Sequence, residues 1–136
     1  MLYTGRLPMY NRRLYERIDI NVECVLYLKD GEVMEINGLL RDISENGIGL
    51  FLEGPEEVFD VLKEKMNLKF QFQDEFMIFK EICSHIVNGQ AEIVRLQRTE
   101  DGMIVGCRLL QPEKVEAYVR ERKMASYLDS MQRFDT

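Results

Sequence analysis

Two short clusters in the 136-residue chain combine side chains suited to recognition. The first is Arg13-Leu14-Tyr15-Glu16-Arg17, an R-x-x-x-R spacing that Arg12 extends to three cations. A guanidinium carries a rigid fork of donors. It binds phosphate oxygens, takes the O6/N7 edge of a guanine in two bonds, and lies flat on a purine face. The second is Asp42-Ile43-Ser44-Glu45-Asn46-Gly47, a D-x-S-x-x-G spacing. Its carboxylate accepts from N–H donors, and its hydroxyl can donate to phosphate or hold the turn. Its glycine admits a positive φ and close approach of a ligand. The same residues also suit an Asx turn capped by Asp42 and Ser44, with the arginines solvated. R-x-x-x-R alone arises by chance in about one in three chains of this length, and D-x-S-x-x-G in roughly 3%. Both together, in this order and beside strands, are about a 1% coincidence, so the joint pattern is the signal.

Strands must hold both clusters, and the dominant period of the chain is two. Ile18, Ile20, Val22, Cys24, Leu26 and Leu28 alternate with more polar neighbours, which predicts a half-buried strand directly after the first cluster. Asp30-Gly31 predicts a hairpin turn into a second strand over 33–43, with Gly38 as a candidate bulge. Asn46-Gly47 turns into a third strand carrying Ile48, Leu50 and Leu52. Pro55 opens a short helix with Val58, Val61 and Leu62 at helical spacing. Met66, Leu68, Phe70 and Phe72 predict a fourth strand. The segment 76–87 is apolar but irregular; Asn88-Gly89 and Asp101-Gly102 predict further hairpins. Six or seven short strands joined this way point to a small antiparallel barrel or sandwich. Residues 1–16 lack periodicity and are expected to form a flexible arm before a single domain over 17–136.

Pro112 predicts a C-terminal helix to about residue 134. Val115, Tyr118, Val119 and Ala125 share one side; Met124, Tyr127, Leu128, Met131 and Phe134 share another. Either the first half packs on the sheet and the second meets a partner, or the helix bends across its own barrel.

The net charge is −6. Residues 1–17 set four arginines against one glutamate, a net of +3, which leaves −9 on the other 119. A basic element on an acidic body suits a compact anion and disfavours DNA or RNA, which need broad phosphate neutralisation. Three widely spaced cysteines argue against a disulfide scaffold and for a reducing, cytoplasmic setting. No apolar run approaches a membrane span, and Arg6 and Pro8 interrupt any signal-peptide core. Cys83 and His85 do not supply a metal-site spacing. Asp42, Ser44 and His85 lack a nucleophile-elbow context, so no catalytic residue is assigned.

On these motifs the chain resembles the PilZ domain family, over about residues 12–120, with Arg13/Arg17 and Asp42/Ser44/Gly47 intact. The resemblance implies a six-stranded antiparallel β-barrel with a C-terminal α-helix. It implies a receptor rather than an enzyme, with cyclic di-GMP as ligand and no cofactor or metal. In that reading the arm bearing Arg12, Arg13 and Arg17 closes over the ligand, Asp42 and Ser44 read its other face, and Gly47 shapes the turn. Asp42 suits the N1 and N2 donors of guanine. An arginine just before the motif, here Arg12, resembles the version that holds an intercalated ligand dimer. The output would pass to an unidentified protein partner through the C-terminal helix, from a monomer or weak homodimer. The alternative is a nucleotide-independent interaction adaptor. The segments 54–65 and 76–87 are longer than the family pattern leads one to expect.

Overall fold

A strand that alternates apolar and polar residues has one face to hide, and six such strands hide all of them by wrapping into a ring. The computed structural model describes residues 17–30 and 32–135, with 29–30, 32–33 and 132–135 described as backbone only. The elements are β1 (Ile18–Asp30), β2 (Glu32–Ile43), β3 (Gly47–Leu52), α1 (Glu56–Val61), β4 (Asn67–Ile78), β5 (Glu81–Arg98), β6 (Met103–Leu109) and α2 (Glu116–Asp135). The strands close as a barrel in the order β1-β2-β3-β6-β5-β4, every pair antiparallel. The expected fold, a six-stranded barrel with a C-terminal helix, is the one observed.

The inward faces follow the predicted alternation. Cys24, Leu26 and Leu28 of β1 meet Leu40 of β2, Ile48, Leu50 and Leu52 of β3, and Leu68, Phe70 and Phe72 of β4 in one core. A fully buried Leu or Ile contributes roughly 1.5–3 kcal/mol by leaving water, so this set dominates the stability of the ring.

Three local expectations are corrected. Gly38 is not a bulge, because it pairs in register with Cys24; a Cβ there would lie 2.5 Å from Leu52 Cδ2. Asn88-Gly89 is not a turn. Both residues lie inside β5, paired with Gln71 and Phe70 of β4, and a Cβ on Gly89 would lie 2.5 Å from the Phe70 ring. The irregular stretch 76–87 is instead a long β4–β5 hairpin whose two-residue loop is Phe79-Lys80, between the paired Ile78 and Glu81. Both loop residues have positive φ, 51° and 67°. That backbone matches the twist of a hairpin, at a cost of roughly 1–2 kcal/mol for a residue with a Cβ.

The C-terminal helix starts later than predicted, after a 3-10 turn over Pro112–Lys114. Val115, at the end of that turn, and Tyr118 and Val119 of the helix are buried against the barrel and hairpin, while Met124, Tyr127 and Met131 are exposed. Tyr118 fastens this junction. Its ring meets Phe72, Phe76 and His85 edge-on, and its hydroxyl donates to Asp74 Oδ2 at 2.7 Å. Arg122 lies over the Phe76 ring and within 3.3 Å of Asp74, and His85 meets Glu121. Burial and the nearby Asp74 carboxylate push the Tyr118 phenol well up, so it stays a donor. Among the described residues no helix is long and apolar enough to cross a membrane.

Candidate functional site

The Asp42–Gly47 turn is built by its own serine. Ser44 is fully buried. Its hydroxyl donates to Asn46 Oδ1 at 2.7 Å and accepts from the Gly47 N–H at 3.1 Å, while its own N–H donates to the Gly47 carbonyl at 2.9 Å. Of the two roles open to Ser44, the geometry is that of holding the turn. The turn is also tied outward: the Leu109 N–H donates to the Asn46 carbonyl at 2.9 Å, and Lys123 Nζ of α2 donates to Glu45 Oε1 at 2.6 Å.

Gly47 does not adopt the positive φ expected of it. Its lack of a Cβ matters for another reason. A Cβ there would stand 3.1 Å from the Cys107 carbonyl and 3.2 Å from the Arg17 guanidinium. The glycine therefore makes room for the arginine. Gly49 does the same for the acid: opposite Asp42 across β2–β3, it would place a Cβ 2.6 Å from Asp42 Oδ1.

With both glycines bare, the two motifs meet. Arg17 Nη1 donates to Asp42 Oδ1 at 2.8 Å across a sequence gap of 25. Both side chains are partly exposed, so their attraction alone is worth at most about 1 kcal/mol. The pair sits on a cleft of about 370 Å³ whose walls also carry Asp19, Arg41 and Arg95, with Gly49 and Gly106 among its lining. Arg12 and Arg13 lie outside the described residues.

Sequence reasoning missed Arg41 and Arg95. Strand register places them. The β1–β2, β2–β3 and β5–β6 pairings shift between Asp19/Val22, Leu40/Asp42 and Ile93/Arg95, each beside a cleft residue. A bulge re-aims the side chain next to it, which lets consecutive Arg41 and Asp42 both face the cleft. Arg41 also lies 5.8 Å over the Phe51 ring. The one local hint was that Arg41 directly precedes the motif; Arg95 carried none.

Three guanidiniums against two carboxylates, over a floor with glycines, can seat a planar polar ring with attached anions. Thiolate chemistry at Cys24 and Cys107 is disfavoured. Burial pushes the thiols of Cys24 and Cys107 up to about 12, so neither is a thiolate near neutral pH. Among the described residues no cluster of His, Cys, Asp and Glu could hold a metal ion.

The PilZ domain model matches residues 11–129, a span that includes both motifs. Solved structures share the fold. The Bacillus subtilis inhibitor of motility MotI/DgrA is 17% identical, over 83% of this chain and 52% of that one, with a TM-score of 0.57. YcgR from Escherichia coli, in complex with c-di-GMP, is 18% identical, over 91% of this chain and 50% of that one, with a TM-score of 0.59. The chain thus spans about half the length of each. No curated protein matches it.

Proposed function

The chain belongs to the PilZ domain family, and on that premise we propose that it is a non-catalytic receptor for cyclic di-GMP that signals to a protein partner. The observation that carries this reading is the Arg17–Asp42 contact on a cleft also lined by Arg41 and Arg95. Asp42 already accepts from Arg17, and a carboxylate has capacity for further donors, so the N1 and N2 groups of a guanine can join it. Arg17, Arg41 and Arg95 offer bidentate contacts to phosphate and the flat faces on which purines stack. Arg12 and Arg13, within five residues of Arg17, would complete the cage from the arm. Ordering that arm costs entropy, which the charge-assisted bonds must exceed.

Charge favours two ligand molecules over one. The cleft and the adjoining residues 1–17 bring six arginines against Glu16, Asp19 and Asp42, a surplus of three positive charges. A stacked pair of cyclic dinucleotides carries four phosphates and makes better use of that surplus than a single molecule does. The route outward is through the turn, because Glu45 contacts Lys123 of α2 beside the exposed Met124 and Tyr127. A partner reading α2 would then sense the state of the turn.

Calorimetric titration with cyclic di-GMP tests the reading. The expected result is saturable binding at two ligands per chain, abolished in Arg13→Ala and in Arg17→Ala while their melting transitions stay intact. Micromolar affinity retained in either variant would refute the clamp. A stoichiometry of one would remove the stacked pair. No ligand-induced rise in melting temperature would favour the nucleotide-independent adaptor.

A further inference from the structure

The distal half of the β4–β5 hairpin extends past its neighbours. β1 pairs with β4 only as far as Phe72, and β6 meets β5 only from Ala91 onward. Residues 73–86 are therefore a two-stranded ribbon with α2 at one face, through Asp74, Phe76 and His85. The other face carries Met77 and Ile82, directly paired across the strands, with Ile86 farther down and Phe79 at the tip. All four are exposed, at 56%, 69%, 67% and 76% respectively. A ribbon facing water is expected to be polar there. Phe79 is the sharper anomaly, since Asn or Gly takes a positive φ at little cost and this loop holds an exposed phenylalanine instead. The hairpin imposes that backbone, and residues held so cluster at sites with a function.

We propose that this ribbon face is a dimerisation surface, packed against the same face of a second copy of the chain about a two-fold axis near the Met77–Ile82 pair. Two features select a second copy as occupant. The first is area. The four side chains expose on the order of 500 Å² per copy, the upper range for a single patch on a monomer. Homodimer interfaces are about 65% apolar. Such a core thus corresponds to about 800 Å² per partner, the standard size of a stable interface. The second feature is charge. Along the ribbon, Glu75 lies two residues before Met77 and Lys80 three residues after it. A two-fold axis at Met77–Ile82 sets Lys80 of each copy against Glu75 of the other, with Ser84 Oγ donating to Glu75 Oε1 from the neighbouring strand at 3.2 Å. The surface is thus complementary to itself in both apolar area and sign of charge. This inference does not depend on the ligand reading.

Sedimentation velocity of the full chain across a range of protein concentrations is the test. The expected mass rises from one chain to two. Ile82→Glu, at an exposed position whose loss leaves the fold intact, should hold the protein monomeric while its melting transition is kept. Glu75→Lys and Lys80→Glu should each weaken dimerisation about tenfold, and the two together should restore it. A single-chain mass at every concentration overturns the proposal, as does a dimer indifferent to Ile82→Glu. A double variant no tighter than the single ones overturns the two-fold arrangement.

Discussion

The cleft and the hairpin end are built on opposite plans. At the cleft, small residues are left bare so that charged groups can meet: Gly47 beside Arg17, Gly49 beneath Asp42. Those groups are partly solvated and held loosely by one another. At the hairpin end, bulk is packed. Tyr118, Phe76, Phe72 and His85 interlock, with the Tyr118 hydroxyl donating to Asp74 and His85 Nε2 meeting Glu121. On the proposed reading, the contrast separates the end that holds the molecule together from the end that takes the ligand. Substitutions at one end should therefore move melting behaviour, and at the other end affinity.

The largest separation is expected from Tyr118→Ala. Removing a buried aromatic that also donates to Asp74 should cost about 4 kcal/mol of stability. Cyclic di-GMP affinity of the folded fraction should stay unchanged, as read by paired denaturant melts and titrations. A matching fall in affinity would show that the two ends are not independent. Gly49→Ala should do the reverse. The added methyl displaces the Asp42 carboxylate, the mobile end of a side chain, so the fold tolerates it. Affinity should fall about tenfold, roughly 1.4 kcal/mol. Unaltered affinity there would remove Asp42 from the ligand contacts. The smallest effect concerns the contact that joins the ends. Lys123→Ala deletes the half-exposed pair with Glu45 and should change stability by less than about 1 kcal/mol. Its informative readout is the hydrogen exchange of α2 with and without ligand, where a ligand-dependent difference present in the parent should shrink.

The same division explains what could be read in advance. β1, β3 and β6 followed from alternation, and the turns into β3 and β6 from Asn46-Gly47 and Asp101-Gly102, because those signals act over a few residues; the expected Asp30-Gly31 turn includes Gly31, which lies outside the described residues. The arginine and acid motifs were equally local. The β4–β5 hairpin was not. Its loop, Phe79-Lys80, contains no turn residue, whereas Asn88-Gly89 imitates a turn inside a continuous strand. Gly89 is needed under the Phe70 ring of the neighbouring strand, a demand visible only once the strands are paired. Arg41 and Arg95 escaped notice for a related reason. Register shifts in two separate strand pairs lie beside them on the one cleft, and register is a property of pairs. Ser44 shows the remaining limit: its spacing marked it, but only coordinates reveal that its hydroxyl is spent inside the turn.

Ring closure has one more consequence, for how the protein comes apart. An open sheet unravels from its outermost member, but here every strand has two neighbours, so none can peel away first. Opening is favoured where the circuit is incomplete, at the β1–β2 hairpin end, which lies outside the pairings with β3 and β4, and at the Phe79-Lys80 tip of the ribbon, beyond its packing on α2. Proteases and amyloid-like pairing would find a foothold at such ends, so a second copy packed on the ribbon, as proposed, would also shield one of them.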